Sequence, residues 1–267
     1  MNPEISIIMV TMNHLPLLKE TLRSLFITAK PTVSFELILV DNCSTDGTVD
    51  YVREAYCTVH IIENKKIQGF AKNNNDGEKV ATGKYILILN PDIILKKPSA
   101  IDQMYRYLKE NDSVGIVAPR LLNPDLSVQY SARRFMTVKL LLLRILTNGK
   151  DDSNNATVQN YLMPDMPDDL QPVEVDWCLG AALLFQKNFY DQLGGFDEKF
   201  FLYVEDTDIC QRCWAAGKRV VYLPQVQMIH VHQRNSAHLN KKTFIHLKSL
   251  FYFFCKNKFA IKRNQVK

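Results

Sequence analysis

The stretch ILILNPDIIL, residues 86–95, is an apolar run broken once, at Asn90-Pro91-Asp92. Pro91 fixes its own φ and lacks an amide hydrogen, so a strand ladder cannot continue through it. A buried strand therefore ends near Leu89, and Asp92 is held at a stiff corner just beyond. Such a corner suits a hard divalent ion, which takes one or two carboxylates together with substrate phosphates.

Working outward, the same alternation of apolar run and helix recurs. Ile5–Val10 is β-rich, and Pro16 opens a helix through Leu18, Thr21, Leu22 and Leu25. Leu37–Val40 precedes Ser44-Thr45-Asp46-Gly47 and a helix through Val49 and Val52, Val59–Ile62 is short, and a polar helix spans 70–81 before Tyr85–Leu89. A helix carries Ile101, Met104, Tyr105 and Leu108, followed by Val114–Ala118. Strand-like 173–177, apolar 180–185, a helix near 205–216 and Val220–Leu223 follow. The pattern predicts an α/β fold with a mostly parallel central sheet covered by helices on both faces. Ligands of such sheets sit beyond the carboxyl ends of the strands. Residues 147–172, rich in Asn, Asp and Pro, read as a long loop suited to a lid.

Acidic residues recur at this edge: Asp41 after Leu37–Val40, Asp92 after Tyr85–Leu89, and Glu205-Asp206 after the apolar run Phe200–Val204, read as a further strand. A single loop aspartate is most simply a turn or cap residue, but three on one rim argue for a site. His230 and His232 alternate on a strand-like segment and so share a face, which makes either a candidate metal ligand. Cys210 and Cys213 form a lone CxxC inside a helical pattern, where packing is the simpler role. The chain carries no Walker A, GxGxxG or GxSxG sequence, so a diphosphate must be held by metal and side chains.

The net charge of +5 is unevenly spread. Residues 234–267 hold nine of the 33 Lys and Arg and no acidic residue, so the rest of the chain, with 28 Asp and Glu, is net acidic. Phe244, Leu247, Leu250, Phe251 and Phe254 lie at helical spacing among these lysines, which reads as a surface-lying amphipathic helix on anionic lipid. The apolar run Leu250–Cys255 is far short of the roughly 20 residues of a membrane span. Val138–Leu146, preceded by Arg133 and Arg134, is a second such segment, and oligomer or core helices are the alternative for both. Phenylalanines among the basic residues and the absence of a known module argue against nucleic acid. The six scattered cysteines suit a reducing compartment, and the short Ile5–Val10 run preceded by Pro3-Glu4 lacks the form of a signal sequence. A cytoplasmic enzyme on the inner face of the cell membrane is expected.

The segments VTMNHLPLLKETLRSL (10–25), LILVDNCSTDGT (37–48), GFAKNNNDG (69–77), ATGKYILILNPDIIL (81–95) and the run from Trp177 to Ser236, in this order, resemble the family 2 glycosyltransferases of the GT-A fold. That resemblance implies a Rossmann-like domain over 1–236, with a nucleotide-binding half (1–118) and an acceptor-binding half (119–236), followed by the basic tail 237–267. It implies that Thr11, Asn13, Asp41, Asn42, Asn74, Asn90 and Asp92 bind the nucleotide-sugar, a carboxylate such as Asp41 accepting the imide N–H of uracil or thymine. Asn90-Pro91-Asp92 stands where the family has Asp-any-Asp, so Asp92 and His230 become the ligands of Mg2+ or Mn2+, with one formal charge fewer than usual. Trp177, Gly180 and Glu205 border the acceptor, and Asp206 takes the acceptor hydroxyl's proton.

Asn-Pro-Asp, the Ser131–Phe135 segment SARRF and GGFDEKFFLYVEDTDICQR are most similar to the rhamnosyltransferase subgroup. An inverting transfer of L-rhamnose from dTDP-L-rhamnose to a glycan or polyprenyl-linked acceptor is thereby implied, for O-antigen, capsule or cell-wall synthesis. A UDP-hexose donor and a catalytically silent glycan-binding scaffold are the alternatives. A nucleotidyltransferase lacks its Gly-rich, basic triphosphate loop in Val10–Leu18.

Overall fold

Ile5–Thr11 (β1) is buried along nearly its whole length, and its apolar side chains divide by parity between two cores. Ile5, Ile7 and Met9 face one core, while Ile8 joins Ile38, Val40, Ile86 and Ile88 in the other. Runs that are apolar at every position form strands here because both faces of the sheet are covered. The computed structural model describes residues 2–146, 155–163, 170–231 and 241–257.

After β1 come α1 (Leu15–Arg23, extended by a π turn through Thr28), β2 (Phe35–Asp41), α2 (Thr48–Ala55), β3 (His60–Glu63), α3 (Phe70–Lys79) and β4 (Tyr85–Leu89). Strands β3, β2, β1 and β4 lie side by side and parallel. The chain continues through β5 (Ile93–Leu95), α4 (Ser99–Glu110), β6 (Val114–Leu122), β7 (Ala132–Arg133), α5 (Val138–Leu146) and α6 (Ala156–Leu162). It ends with β8 (Val173–Glu174), β9 (Trp177–Cys178), β10 (Ala182–Gln186), α7 (Lys187–Gln192), α8 (Glu205–Ala215), β11 (Arg219–His230) and α9 (Lys241–Lys256). Among the described residues the main sheet has nine strands in the order β3-β2-β1-β4-β10-β6-β11-β5, with β8 beside β11.

The parallel expectation holds for the first half and needs amending in the second. Strand β10 runs antiparallel to both β4 and β6, β11 is parallel to β6, and β5 is antiparallel to β11, so the sheet as a whole is mixed. The apolar run 86–95 supplies two strands that are not neighbours: β4 lies at the centre and β5 at the far edge, joined by the Asn90-Pro91-Asp92 corner. That corner is tied on several sides. Asn90 N–H donates to Ala181 O (2.9 Å), Thr21 Oγ1 donates to Pro91 O (2.8 Å), and Val231 N–H donates to Asp92 O (2.9 Å).

Two other readings change. The segment 147–172 is not structureless throughout: Asn155 caps α6 by accepting from Thr157 N–H, and Val158, Tyr161 and Leu162 are buried. Seven helical residues between Asn-, Asp- and Pro-rich flanks are too few for periodicity to show; 147–154 and 164–169 lie outside the described residues. The run Phe200–Val204 is not a strand but a bend whose last two residues, Tyr203 and Val204, have φ of 69° and 72°. Its backbone serves neighbours instead, with Phe201 O accepting from Phe70 N–H and Leu202 O from Ser249 Oγ.

Candidate active site

Thr11 and Asp41 are register partners at the carboxyl ends of β1 and β2. Asp41 is 3% exposed; its Oδ2 accepts from Ser44 N–H at 2.9 Å, while Oδ1 is buried without a hydrogen-bond partner, as is Thr11 Oγ1. Buried polar atoms are almost always paired, so two orphans on neighbouring strand ends are unusual.

The asparagines assigned to the nucleotide differ in how far they are engaged within the chain. Asn13, at φ 56°, accepts from Thr45 N–H (2.8 Å) and so joins the loops after β1 and β2. Asn42 is closed on both ends of its amide: Oδ1 accepts from Gln68 N–H (2.8 Å) and Asn64 Nδ2 (3.1 Å), and Nδ2 donates to Gln68 O (3.0 Å). Asn74 is wholly buried on α3, with Nδ2 donating to Phe70 O. Asn42 is thus engaged within the chain, whereas Asn13 is exposed and Asn74 Oδ1 is buried without a hydrogen-bond partner. The engagement of Asn42 has a physical cause: a carboxamide has two donors and an acceptor with two lone pairs, and backbone in a tight loop competes for them.

At the corner, Asp92 keeps 18% of its side chain exposed, and its buried Oδ1 has no hydrogen-bond partner. His230 Nε2 stands 3.5 Å from that oxygen, because Ile93 and His230 pair across β5 and β11. Burial pushes the Asp92 carboxyl up to about 6. An orphaned carboxylate oxygen beside an imidazole nitrogen fits a divalent ion. Among the described residues no cluster of three or more His, Cys, Asp or Glu is present, so diphosphate and water would complete the coordination. Asn90 is half-buried at the same corner. His232 lies outside the described residues.

Glu205 and Asp206 enter this edge as the first turn of α8, not as the end of a strand. The left-handed pair before them is uncommon for non-glycine residues, and for β-branched Val204 it is a strained conformation of the kind found where geometry matters. Asp206 Oδ2 accepts from Gly180 N–H (3.0 Å) and Oδ1 from Thr207 N–H (2.7 Å). A Cβ at Gly180 would sit 3.3 Å from Asp206 Cβ, so glycine there permits the close approach. The same residue leads into Ala181, whose carbonyl holds Asn90, which links Asp206 to the Asn90-Pro91-Asp92 corner.

The two carboxylates live in different surroundings. Glu205 is 5% exposed with Oε2 unpartnered, and burial together with the adjacent Asp206 raises its carboxyl well above the usual range. Burial raises Asp206 as well, but the Gly180 and Thr207 amides and the nearby Arg133 charge oppose the shift. Burial thus acts on Glu205 with less opposition than on Asp206.

Trp177 is 6% exposed and engaged within the chain: Nε1 donates to Arg134 O, and the Arg133 guanidinium covers its face at 5.4 Å from the ring centre. Arg133 also stacks on Tyr161 of α6 (5.5 Å) and bonds Tyr130 O. Arg133, noted in the sequence only within SARRF and before the Val138–Leu146 segment, thus sets its charge near Asp206. Cys210 and Cys213 are buried in α8 against the core, and burial raises both thiols, in keeping with packing.

The chain is similar to known proteins in sequence and in fold. Residues 6–171 match the family described as glycosyl transferase family 2, and 171–235 match the N-terminal domain of galactosyltransferase. The chain is 27% identical over 266 residues to N-acetylglucosaminyl-diphospho-decaprenol L-rhamnosyltransferase of Mycobacterium tuberculosis, covering 95% of this chain and 84% of that protein. It is 30% identical to the rhamnosyltransferase WbbL of Escherichia coli over 74% of each chain. In fold it matches a mannosyltransferase of Pyrobaculum calidifontis solved with GDP-Man and Mn2+ (TM-score 0.64, 18% identity, 98% of this chain and 66% of that one). It also matches TarS of S. aureus solved with UDP-GlcNAc (TM-score 0.59, 16% identity, 87% and 59%). With a GT-A sheet and a carboxylate at each expected strand end or helix start, the chain belongs to glycosyl transferase family 2.

Proposed function

We propose that this enzyme is an inverting transferase that moves L-rhamnose from dTDP-L-rhamnose to a glycan or polyprenyl-linked acceptor in surface polysaccharide synthesis. The carrying observation is Asp206, tied by Gly180 to the loop that also anchors Asn90. The names of the mycobacterial and E. coli relatives support rhamnose as the sugar and a lipid-linked acceptor for the reaction.

Asp41 Oδ1 receives the imide N–H of thymine, beside Thr11. Asp92 and His230 hold a divalent ion, which when bound supplies Lewis-acid stabilisation of the leaving diphosphate. The acceptor hydroxyl oxygen attacks the anomeric carbon from the opposite side as the bond from that carbon to the diphosphate oxygen breaks. The hydroxyl proton passes to the Asp206 carboxylate, and the nucleoside diphosphate departs with the bonding pair.

Membrane-surface attachment on the cytoplasmic face belongs to the same reading. No described helix is long and apolar enough to cross a membrane. Phe244 (78% exposed), Leu247 and Phe251 instead form an outward apolar stripe on α9, with Val138 and Leu142 exposed on α5.

The test is Asp206→Asn. General-base assistance is worth about 10² to 10⁴ in rate, so dTDP release in the presence of acceptor should fall by that factor while dTDP-rhamnose binding, read by thermal shift, is kept. Turnover near wild type would remove Asp206 from the mechanism. The same thermal-shift measurement against UDP-glucose, UDP-galactose, UDP-GlcNAc and GDP-mannose with Mn2+ separates the donors.

A further inference from the structure

The metal corner has a neighbour that the reaction as described does not use. Between β6 and β7 the chain turns at 123–127 and returns, and Gln129 places its side chain against β11. Gln129 Oε1 lies 2.9 Å from His230 Nδ1, and Gln129 Nε2 donates both to His230 O (2.8 Å) and to Asn123 Oδ1 (2.8 Å).

The direction of every bond in this chain is determined by its ends. Asp125 is a carboxylate, kept below the ordinary range by Ser127, and can only accept; Ser127 Oγ donates to its Oδ1 at 2.6 Å. The Ser127 hydroxyl, having given its proton to Asp125, accepts from Asn123 Nδ2 (2.8 Å), which leaves Asn123 Oδ1 as the acceptor facing Gln129. At the other end the His230 carbonyl can only accept. Two acceptors on one side of the Gln129 amide make that side the NH2 group, so the atom facing His230 Nδ1 is the oxygen. An oxygen there requires the imidazole proton on Nδ1, and in the neutral ring the lone pair is then on Nε2, the nitrogen 3.5 Å from Asp92 Oδ1.

We infer that Gln129 is a positioning residue for the metal corner: through the Asp125-Ser127-Asn123 turn it holds neutral His230 as the Nδ1–H tautomer with Nε2 aimed at the ion shared with Asp92. The inference rests on the reading of Asp92 and His230 as metal ligands. Outer-shell partners of a ligating histidine fix its tautomer and ring orientation, and their loss typically weakens metal binding about 10- to 100-fold.

The tautomer can be read without metal. Long-range proton–nitrogen NMR of histidine-labelled, metal-free protein at pH 8, with His230→Gln to assign the signal, should show Nδ1–H in wild type. Gln129→Met removes the acceptor and should shift the ring toward Nε2–H, whereas Gln129→Glu keeps an acceptor opposite Nδ1 and should retain Nδ1–H. Mn2+ binding in the presence of dTDP, followed by the electron paramagnetic resonance of free Mn2+, should weaken about 10- to 100-fold in Gln129→Met and stay within about threefold of wild type in Gln129→Glu. Nε2–H in the wild-type spectrum overturns the inference even if no Gln129→Met protein folds. So does Gln129→Met with unchanged tautomer or unchanged Mn2+ affinity. Failure of the underlying metal reading looks different: Mn2+ affinity would then be indifferent to Asp92→Ala, whatever the tautomer.

Discussion

Asp92 carries a stability cost that its site imposes. Its carboxyl ionises near 6 in the folded chain and near 4 when unfolded, so between those values the folded state binds more protons. Stability therefore falls as pH rises from about 4 to about 6, and above that window the whole penalty is present. At about 1.4 kcal/mol per unit, and taken as an upper bound, it amounts to about 1–3 kcal/mol. Asp92→Asn should make the metal-free protein more stable by about that amount at pH 7.5, with the gain reduced to about a third at pH 4.5. Urea denaturation at the two values measures it, and equal midpoints at pH 7.5 would show that the buried carboxylate is not under strain. The variant would keep its fold and lose the ion, the usual opposition between a strained site and stability.

Among elements, α9 has two faces with different duties. Leu250, Phe253 and Phe254 pack with Phe200 and Val204, so the apolar positions of the tail do not form a single lipid face: Leu250 and Phe254 turn inward while Phe244, Leu247 and Phe251 turn out. Lys256 completes the docking by reaching Asp208 Oδ1 and Asp197 Oδ2, each at 2.7 Å. Asp208 is fully buried one turn into α8 and shares Arg212 as its second cation, so α9 is pinned to the helix that begins with Glu205-Asp206. Removing one partner of a buried ion pair costs about 3–5 kcal/mol when the other charge is left alone, and less here because Arg212 still faces Asp208. Lys256→Met should lower the unfolding free energy by about 2 kcal/mol, and an unchanged denaturation midpoint would show that this pair does not seat α9. Removing everything beyond residue 240 would strip the cover from Phe200 and Val204, so truncation is a poor probe of lipid binding.

For the molecule as a whole, membrane attachment is therefore best tested on side chains that carry no fold. Phe244 and Phe251 are 78% and 68% exposed, and surface substitutions of this kind change stability by about 0.5 kcal/mol or less. Phe244→Ser with Phe251→Ser should leave the melting temperature and donor binding in place while reducing sedimentation with phosphatidylglycerol-containing vesicles several-fold. Wild-type partitioning by the double variant would move attachment away from α9. The exposed Lys248 beside the stripe adds an attraction of about 1 kcal/mol to an anionic surface, so raised salt should weaken wild-type binding too.

By itself the sequence determined that Asp41, Asn90 and Asp92 would come to the carboxyl edge of a sheet, because uninterrupted apolar runs of strand length must be buried on both faces and their first polar residues mark where burial ends. It determined equally that Pro91 would stop β4. Only the tertiary structure decided which polar groups remain available there. Both ends of the Asn42 amide are spent on Gln68 and Asn64, whereas Thr11 Oγ1, Asp41 Oδ1 and Asn74 Oδ1 are left without a partner, and nothing local distinguishes them, since a hydrogen-bond partner is chosen by folding together loops from different parts of the chain. The pairing of Asp92 with His230, 138 positions further on, follows from β5 crossing to the far edge of the sheet, and the opposite facings of α9 follow from the bend at 200–204 against which it docks. Periodicity specifies a face but not its neighbour, and at both places the neighbour comes from a distant part of the chain.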